Sequence, residues 1–262
     1  QTMNTFLVLF QKEWRENIRN FKILWIPLVF ILFGITEPVM NYYMPQILSS
    51  VGNLPEGTVI EFPSMTSEQI LMSTISQYQL IGMLVVILAF SGIISRERKN
   101  GTATLLYVRP LSFTGYVGSK LAILSIIVLG SFILGIVASL YYTSILFGSI
   151  DFLSFIEFTS IYVLWLLFVI SIVLFTSAAL STGMASTVSF VLVIIVQVID
   201  GLLGTYWTNS PWKLPMYAGY VLNGDVESSS YIWSILITIL AISFLLMGAV
   251  FSTKNNVWKA KI

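Results

Sequence analysis

Five charged side chains, Arg96, Glu97, Arg98, Lys99 and Arg109, fall within fourteen residues of the stretch ISRERKNGTATLLYVRPLSF, between two long apolar runs. Guanidinium, ammonium and carboxylate groups at that density form ion pairs and charge-assisted hydrogen bonds. Theirs is the chemistry of docking, not of bond making. The chain has no Cys and no His, which removes thiol chemistry, disulfides and the usual zinc, copper and haem ligands. A Ser/His or metal-centred enzyme is thereby disfavoured. No G-x-S-x-G turn is present, and Asp151 and Asp200 lack the neighbouring signatures of an aspartyl protease. No catalytic and no metal-binding residues are expected.

Three other polar side chains stand in apolar surroundings: Glu37 in GITEPVM, and Gln197 and Asp200 in QVIDGLLG. A carboxylate at the centre of a membrane helix costs about 2.5 to 3.5 kcal/mol on insertion scales, and less near an interface. Two readings follow. Glu37 and Asp200 end their helices where the side chains reach water, or they line an outer vestibule for a cationic or polar substrate, with Gln197 one turn before Asp200 on the same face.

The elements that position these residues follow from composition. Of 262 residues, 56% are apolar and 10% charged, and mean hydropathy is +0.89, against about 25% charged in soluble domains. The chain is read as an all-α integral membrane protein. The net charge of +1 gives no basic footprint for nucleic acid. Crossing about 30 Å of hydrocarbon takes about 20 residues. Uncharged runs at 69–95, 121–150 and 228–253 each serve as one span, whereas 158–199 is too long for one helix and must fold back at STGMAST, residues 181–187. A first span near 23–40, bracketed by Pro27 and Pro38, makes six. The six are expected near 23–40, 72–95, 120–147, 158–180, 186–204 and 230–252, in one membrane domain over 1–262.

Six spans put both termini on one side, and cytoplasmic segments carry the Lys and Arg excess. With the N-terminus inside, twelve of the thirteen basic residues fall inside and only Lys213 outside. Nine of the twelve acidic residues, Glu37 through Glu227, fall outside or near outer helix ends, leaving Glu13, Glu16 and Glu97 inside. Both termini are therefore expected in the cytoplasm. Two sizeable outer loops remain, 41–68 and 205–228. The second holds Tyr206, Trp207, Trp212, Tyr217 and Tyr220, suited to an interfacial aromatic belt.

At the N-terminus, Leu7, Phe10, Trp14, Ile18, Phe21 and Trp25 recur at helical spacing, with Lys12, Arg15, Glu16 and Arg19 mainly on the other side. This predicts an amphipathic interfacial helix over 4–20, anchored on lipid through Trp14, Arg15 and Arg19. It also offers a surface to a cytoplasmic partner. Its charged start is unlike a cleaved signal.

The largest cytoplasmic loop is 96–118. Asn100-Gly101 ends the second span, Thr102 caps a two-turn helix over Ala103–Val108, Pro110 stops it, and Ser112 caps the next helix. The short helix presents Leu105 and Leu106 between flanking charges, a shape suited to docking. The positive-inside rule alone explains the Arg and Lys, but not the Gly-Thr and Arg-Pro punctuation. Among the fourth-span residues, Ser171, Ser177, Ala178 and Ser181 permit close helix packing. Pro27 and the glycines at 130, 135, 201 and 204 permit kinks.

The composite Glu97-Arg98-x-x-Gly101-Thr102, short apolar helix, Arg109-Pro110-x-Ser112 and Gly118-x-Lys120 resembles the signature of permease subunits of type 2 ATP-binding cassette exporters. The resemblance covers nearly the whole chain, although the first outer loop is longer than in many compact members. It implies that the short helix is a coupling helix seated in a cleft of a separate ATPase subunit, with Glu97, Arg98 and Arg109 making charged contacts and Leu105 and Leu106 filling an apolar part. It further implies ATP and Mg on that ATPase, a second permease subunit completing a homodimer or heterodimer, export, and a bacterial plasma membrane location. The chain has no G-x-x-x-x-G-K-[ST] phosphate loop of its own. A non-transporting membrane subunit, sequestering a peptide as an immunity protein does or acting as a sensor, is the other reading, separated by whether activity needs an ATPase.

Overall fold

The computed structural model describes residues 2–51, 65–101, 112–204, 206–224 and 228–259. Among them there is no strand, and six helical stretches are long and apolar enough to cross a membrane: Lys22–Ile47, Ser67–Lys99, Phe113–Leu146, Phe152–Ala179, Thr182–Leu203 and Ser229–Asn256. The protein is a multi-pass membrane protein. We number these spans one to six, and name the side carrying the N-terminal helix Thr2–Arg19 the basic face and the opposite side the far face.

The second and fourth spans are the most enclosed, and an aromatic column links the first four. Phe30 lies 4.9 Å from Tyr78, Tyr78 6.0 Å from Phe132, Phe132 4.8 Å from Tyr162, and Tyr162 5.0 Å from Trp165, ring centre to ring centre. The first and third spans approach closely because glycines meet there: a Cβ on Gly34 would sit 2.2 Å from the Gly135 carbonyl oxygen. In lipid, where no hydrophobic force draws helices together, such close contact drives packing. Gly135 therefore serves contact, not a kink, and the third span is one unbroken helix. The helix beginning at Lys22 likewise runs through Pro27 and Pro38.

Local sequence explains the ends. The second span opens with a capping box: Thr66 Oγ1 accepts from Gln69 N, and Gln69 Oε1 accepts from Thr66 N. Ser112 accepts from Gly115 N at the start of the third span, and Asp151 accepts from Ser154 N at the start of the fourth. Asp151 is therefore a helix cap, and its bonds from Ser154 hold its carboxyl low. The fourth and fifth spans part at Leu180 and Ser181.

Two spans contain a widened π turn, Tyr78–Gly82 in the second and Val191–Ile195 in the fifth, a feature frequent at functional sites. Between the fifth and sixth spans, the expected loop is folded. A short turn Pro211–Lys213 leads into a helix Leu214–Asn223 whose Leu214, Pro215, Tyr217, Ala218, Gly219, Val221 and Leu222 are buried. Pro211 and Pro215 each sit in the first turn of their helix, where no N–H is needed. Trp212 and Tyr217 are consequently packed inward, and Tyr206 and Trp207 stay exposed.

Candidate functional site

The candidate site is the root of the 96–118 loop. Thr102, Leu105, Leu106, Arg109 and Pro110 lie outside the described residues. The second span breaks at residues 91–94, resumes as Ser95–Lys99, and ends at Gly101 in the left-handed conformation, φ 72°. A break inside a helix leaves buried N–H groups needing acceptors. Ser177 of the fourth span supplies one, its Oγ accepting from Ile94 N at 3.0 Å and Ser95 N at 3.2 Å. Ser95 and Thr182 share a hydrogen bond at 2.9 Å, and Ser91 and Ser186 another at 2.6 Å. The small residues of the fourth span and the hairpin after it thus hold the root as well as pack.

Glu97 and Arg98 turn to different neighbours. Glu97 is buried. Its carboxylate pairs with Lys12 of the N-terminal helix, accepts from Tyr116 OH, and lies 3.0 Å from Lys120 Nζ of the third span. Lys120, also buried, reaches Glu13 at 2.8 Å, and Lys12 reaches Glu13 at 3.0 Å and Glu16 at 3.7 Å. Burial pushes the Glu13 carboxyl up, but Lys120 and Lys12 outweigh it and hold the group below its ordinary 4.5. Arg98 donates to the Ala178 carbonyl at 2.8 Å and to that of Leu180, closing the C-terminal end of the fourth span. Asn256 of the sixth span donates to the same Ala178 oxygen at 2.9 Å. Both side chains, expected to contact a partner, make bonds within the chain. Among the described charged residues of the loop root, Arg96 and Lys99 are exposed.

The N-terminal helix is pinned by this network. Its buried face is Leu9, Glu13 and Asn17, at spacing i, i+4, i+8, and Leu9 joins Ile94, Tyr116, Val117, Leu174, Ala178 and Ala249 in an apolar cluster beside the ion pairs. Of the apolar stripe, Leu7, Trp14 and Ile18 are exposed, whereas Phe10 is partly buried against the core. The chain turns at Asn20 and Phe21, so Phe21 sits in the bend and Trp25 on the first span. Arg15, Arg19 and Lys12, with Gln11, Glu16 and Asn20, line an open groove of about 740 Å³ on the polar side. Carboxylate oxygens of Glu13, Glu16 and Glu97 lie within 4.8 Å of one another, a spacing that could ligate a cation. Lys12 and Lys120 already stand among them and supply the countercharge.

The far-face residues divide. Asp200 is buried and pairs with Lys213 at 3.2 Å, with Ser210 Oγ donating to it at 3.1 Å. Gln197 Nε2 donates to the Trp212 carbonyl at 3.1 Å. Glu37 is apart on the first span, half-buried, with Asn41 Nδ2 at 3.2 Å. Asp200 is therefore buried with a cation of the chain itself as its partner. Sequence reading named Lys120 only as part of the composite motif, without its ion pairs, and missed Lys12, Tyr116 and Lys213 as members of these sites. The signal was there for Lys213, as the single basic residue expected outside.

A family model described as ABC-2 family transporter protein matches residues 7–212. The chain is also 32% identical, over 266 residues, to the uncharacterized transmembrane protein YxlG of Bacillus subtilis (strain 168), covering 98% of this chain and 97% of that relative.

Proposed function

The chain belongs to the ABC-2 family of transporter proteins, which makes it a membrane subunit of an ABC transporter, and from that premise we propose an exporter permease driven by a separate ATPase. The 96–118 loop is the coupling element. Leu105 and Leu106 enter a cleft on the ATPase, Arg109 makes a charged contact there, and Thr102 and Pro110 set the ends of the docking helix. Glu97 and Arg98 act from behind, positioning the loop on the spans. ATP and Mg are held by the partner. A second permease subunit completes the path, both termini are cytoplasmic, and the host is a bacterial plasma membrane.

One observation carries this reading. Two adjacent residues at the loop root, Glu97 and Arg98, bind the N-terminal helix, the third span and the end of the fourth. A push on the loop is thereby delivered to several spans at once, as coupling requires.

Co-expression with the ABC ATPase encoded nearest to this chain, followed by pull-down in nanodiscs, tests it. A complex that hydrolyses ATP, and is lost in Leu105→Glu plus Leu106→Glu while membrane insertion persists, is the expected result. Normal insertion without any complex would favour a sequestering or sensory subunit.

A further inference from the structure

The far face holds a construction that coupling does not use. The turn Pro211–Lys213 and helix Leu214–Asn223 pack back onto the fourth and second spans, with Gly219 against Met72. Their attachment to the fifth span is polar. In the widened turn of that span, Val196 N–H bonds to Val191 O, and the Trp212 indole N–H donates to Leu192 O at 3.0 Å while its ring meets Phe168 edge-on at 5.2 Å. Gln197 holds the Trp212 carbonyl, and Ser210 and Lys213 hold Asp200. Lys213 Nζ also lies 3.5 Å from the Asp200 carbonyl oxygen, at the C-terminal end of the helix, where a cation complements the helix dipole. Gly204 makes the approach possible: a Cβ there would stand 1.9 Å from Lys213 Nζ. Its φ of −63° is open to any residue, so space and not backbone conformation calls for glycine.

We infer that residues 210–223 form a cover latched to the end of the fifth span by the Lys213–Asp200 pair, and that Gly204 is the notch receiving the Lys213 ammonium. The latch is a property of this chain alone. That its release opens the outer side of a transport path rests on the function proposed above.

Trypsin provides a direct probe, because Lys213 is the single Lys or Arg that the proposed orientation leaves outside. Cleavage of a transiently opened segment follows the population of the open form. In right-side-out vesicles the unaltered chain should resist cleavage after Lys213. Asp200→Asn and Gly204→Ala should each be cut there about tenfold faster or more, since an unpaired buried charge is strongly disfavoured. Trp212→Phe, which retains the ring but loses the Leu192 bond, should show a smaller rise, about threefold. The latch is overturned if the unaltered chain is cut as fast as Asp200→Asn, or if Gly204→Ala and Trp212→Phe stay as protected as the parent. Gly204→Ala changes no charge and decides the matter should Asp200→Asn fail to insert. Cleavage after a different Lys or Arg would count against the orientation and the transport reading. In that case the orientation is reversed, Lys213 faces the protease in inside-out vesicles instead, and the same comparison of variants made there upholds or overturns the latch.

Discussion

Both faces of this molecule bury a lysine against carboxylate, but they do so differently. On the basic face, Lys120 lies between Glu97 and Glu13, with Lys12 and Tyr116 completing the set. The partners come from the N-terminal helix and from the second and third spans. On the far face, Lys213 meets Asp200 thirteen residues away, across one connection. Removing one partner from a buried pair leaves an unpaired charge and is costly, whereas the intact pair adds little net stability. The first arrangement therefore ties distant elements and should report on the whole fold. The second fastens a local segment and should report on that segment.

The largest effect expected is from Lys120→Met, which leaves Glu13 and Glu97 facing each other with only half-exposed Lys12 between them. A loss of about 3 to 5 kcal/mol is expected, read as global thermal unfolding of the detergent-purified chain. Lys213→Met should cost less, about 2 to 3 kcal/mol, because Ser210 still donates to Asp200. Equal global shifts from the two variants would erase the distinction between network and latch.

Acid sharpens the comparison further. Glu13 has a folded value below its ordinary 4.5, so its contribution is present in full above that ordinary value and is lost as pH falls through the folded value. Thermal stability should hold down to about pH 5 and decline only below the ordinary carboxylate range. In Lys120→Met the burial of Glu13 is no longer offset by that cation, so the loss on acidification should shrink or reverse, and identical profiles would remove Lys120 as the group holding Glu13 low. Lys12→Met should cost about 1 kcal/mol or less, since its side chain is 32% exposed and solvent screens the pairs. The smallest change is Asn256→Ala, about 0.5 to 1 kcal/mol, because Arg98 continues to serve the Ala178 carbonyl. A larger loss there than in Lys12→Met would move the weight of the junction from the ion network to the end of the fourth span.

Particular residues show how far reading the chain could go. Gly101 and Ser112 mark the two ends of the loop by their own chemistry, one by taking positive φ and one by capping the next helix, and both do so in the structure. The amphipathic stripe of Leu7, Trp14 and Ile18 was legible from spacing, but the face that packs on the protein is Leu9, Glu13 and Asn17, which a hydrophobic pattern cannot reveal. Ser177 read as a small packing residue, and its role as acceptor for the broken second span depends on a partner more than eighty residues away. The helix Leu214–Asn223 falls in what the sequence presents as an outer loop, because ten residues are too few to stand out as a membrane span.

Six membrane helices were determined by the sequence alone, because the cost of placing charge in hydrocarbon is local and each uncharged run carries it independently of the others. The same local rule predicts which side the basic residues occupy. What only the tertiary structure decided is which charges are buried and with whom: Glu97 with Lys12 and Lys120, Arg98 with the end of the fourth span, Asp200 with Lys213. Whether a charge meets water, lipid or an opposite charge is settled by elements brought together from distant parts of the chain, and no periodicity within one segment contains that information.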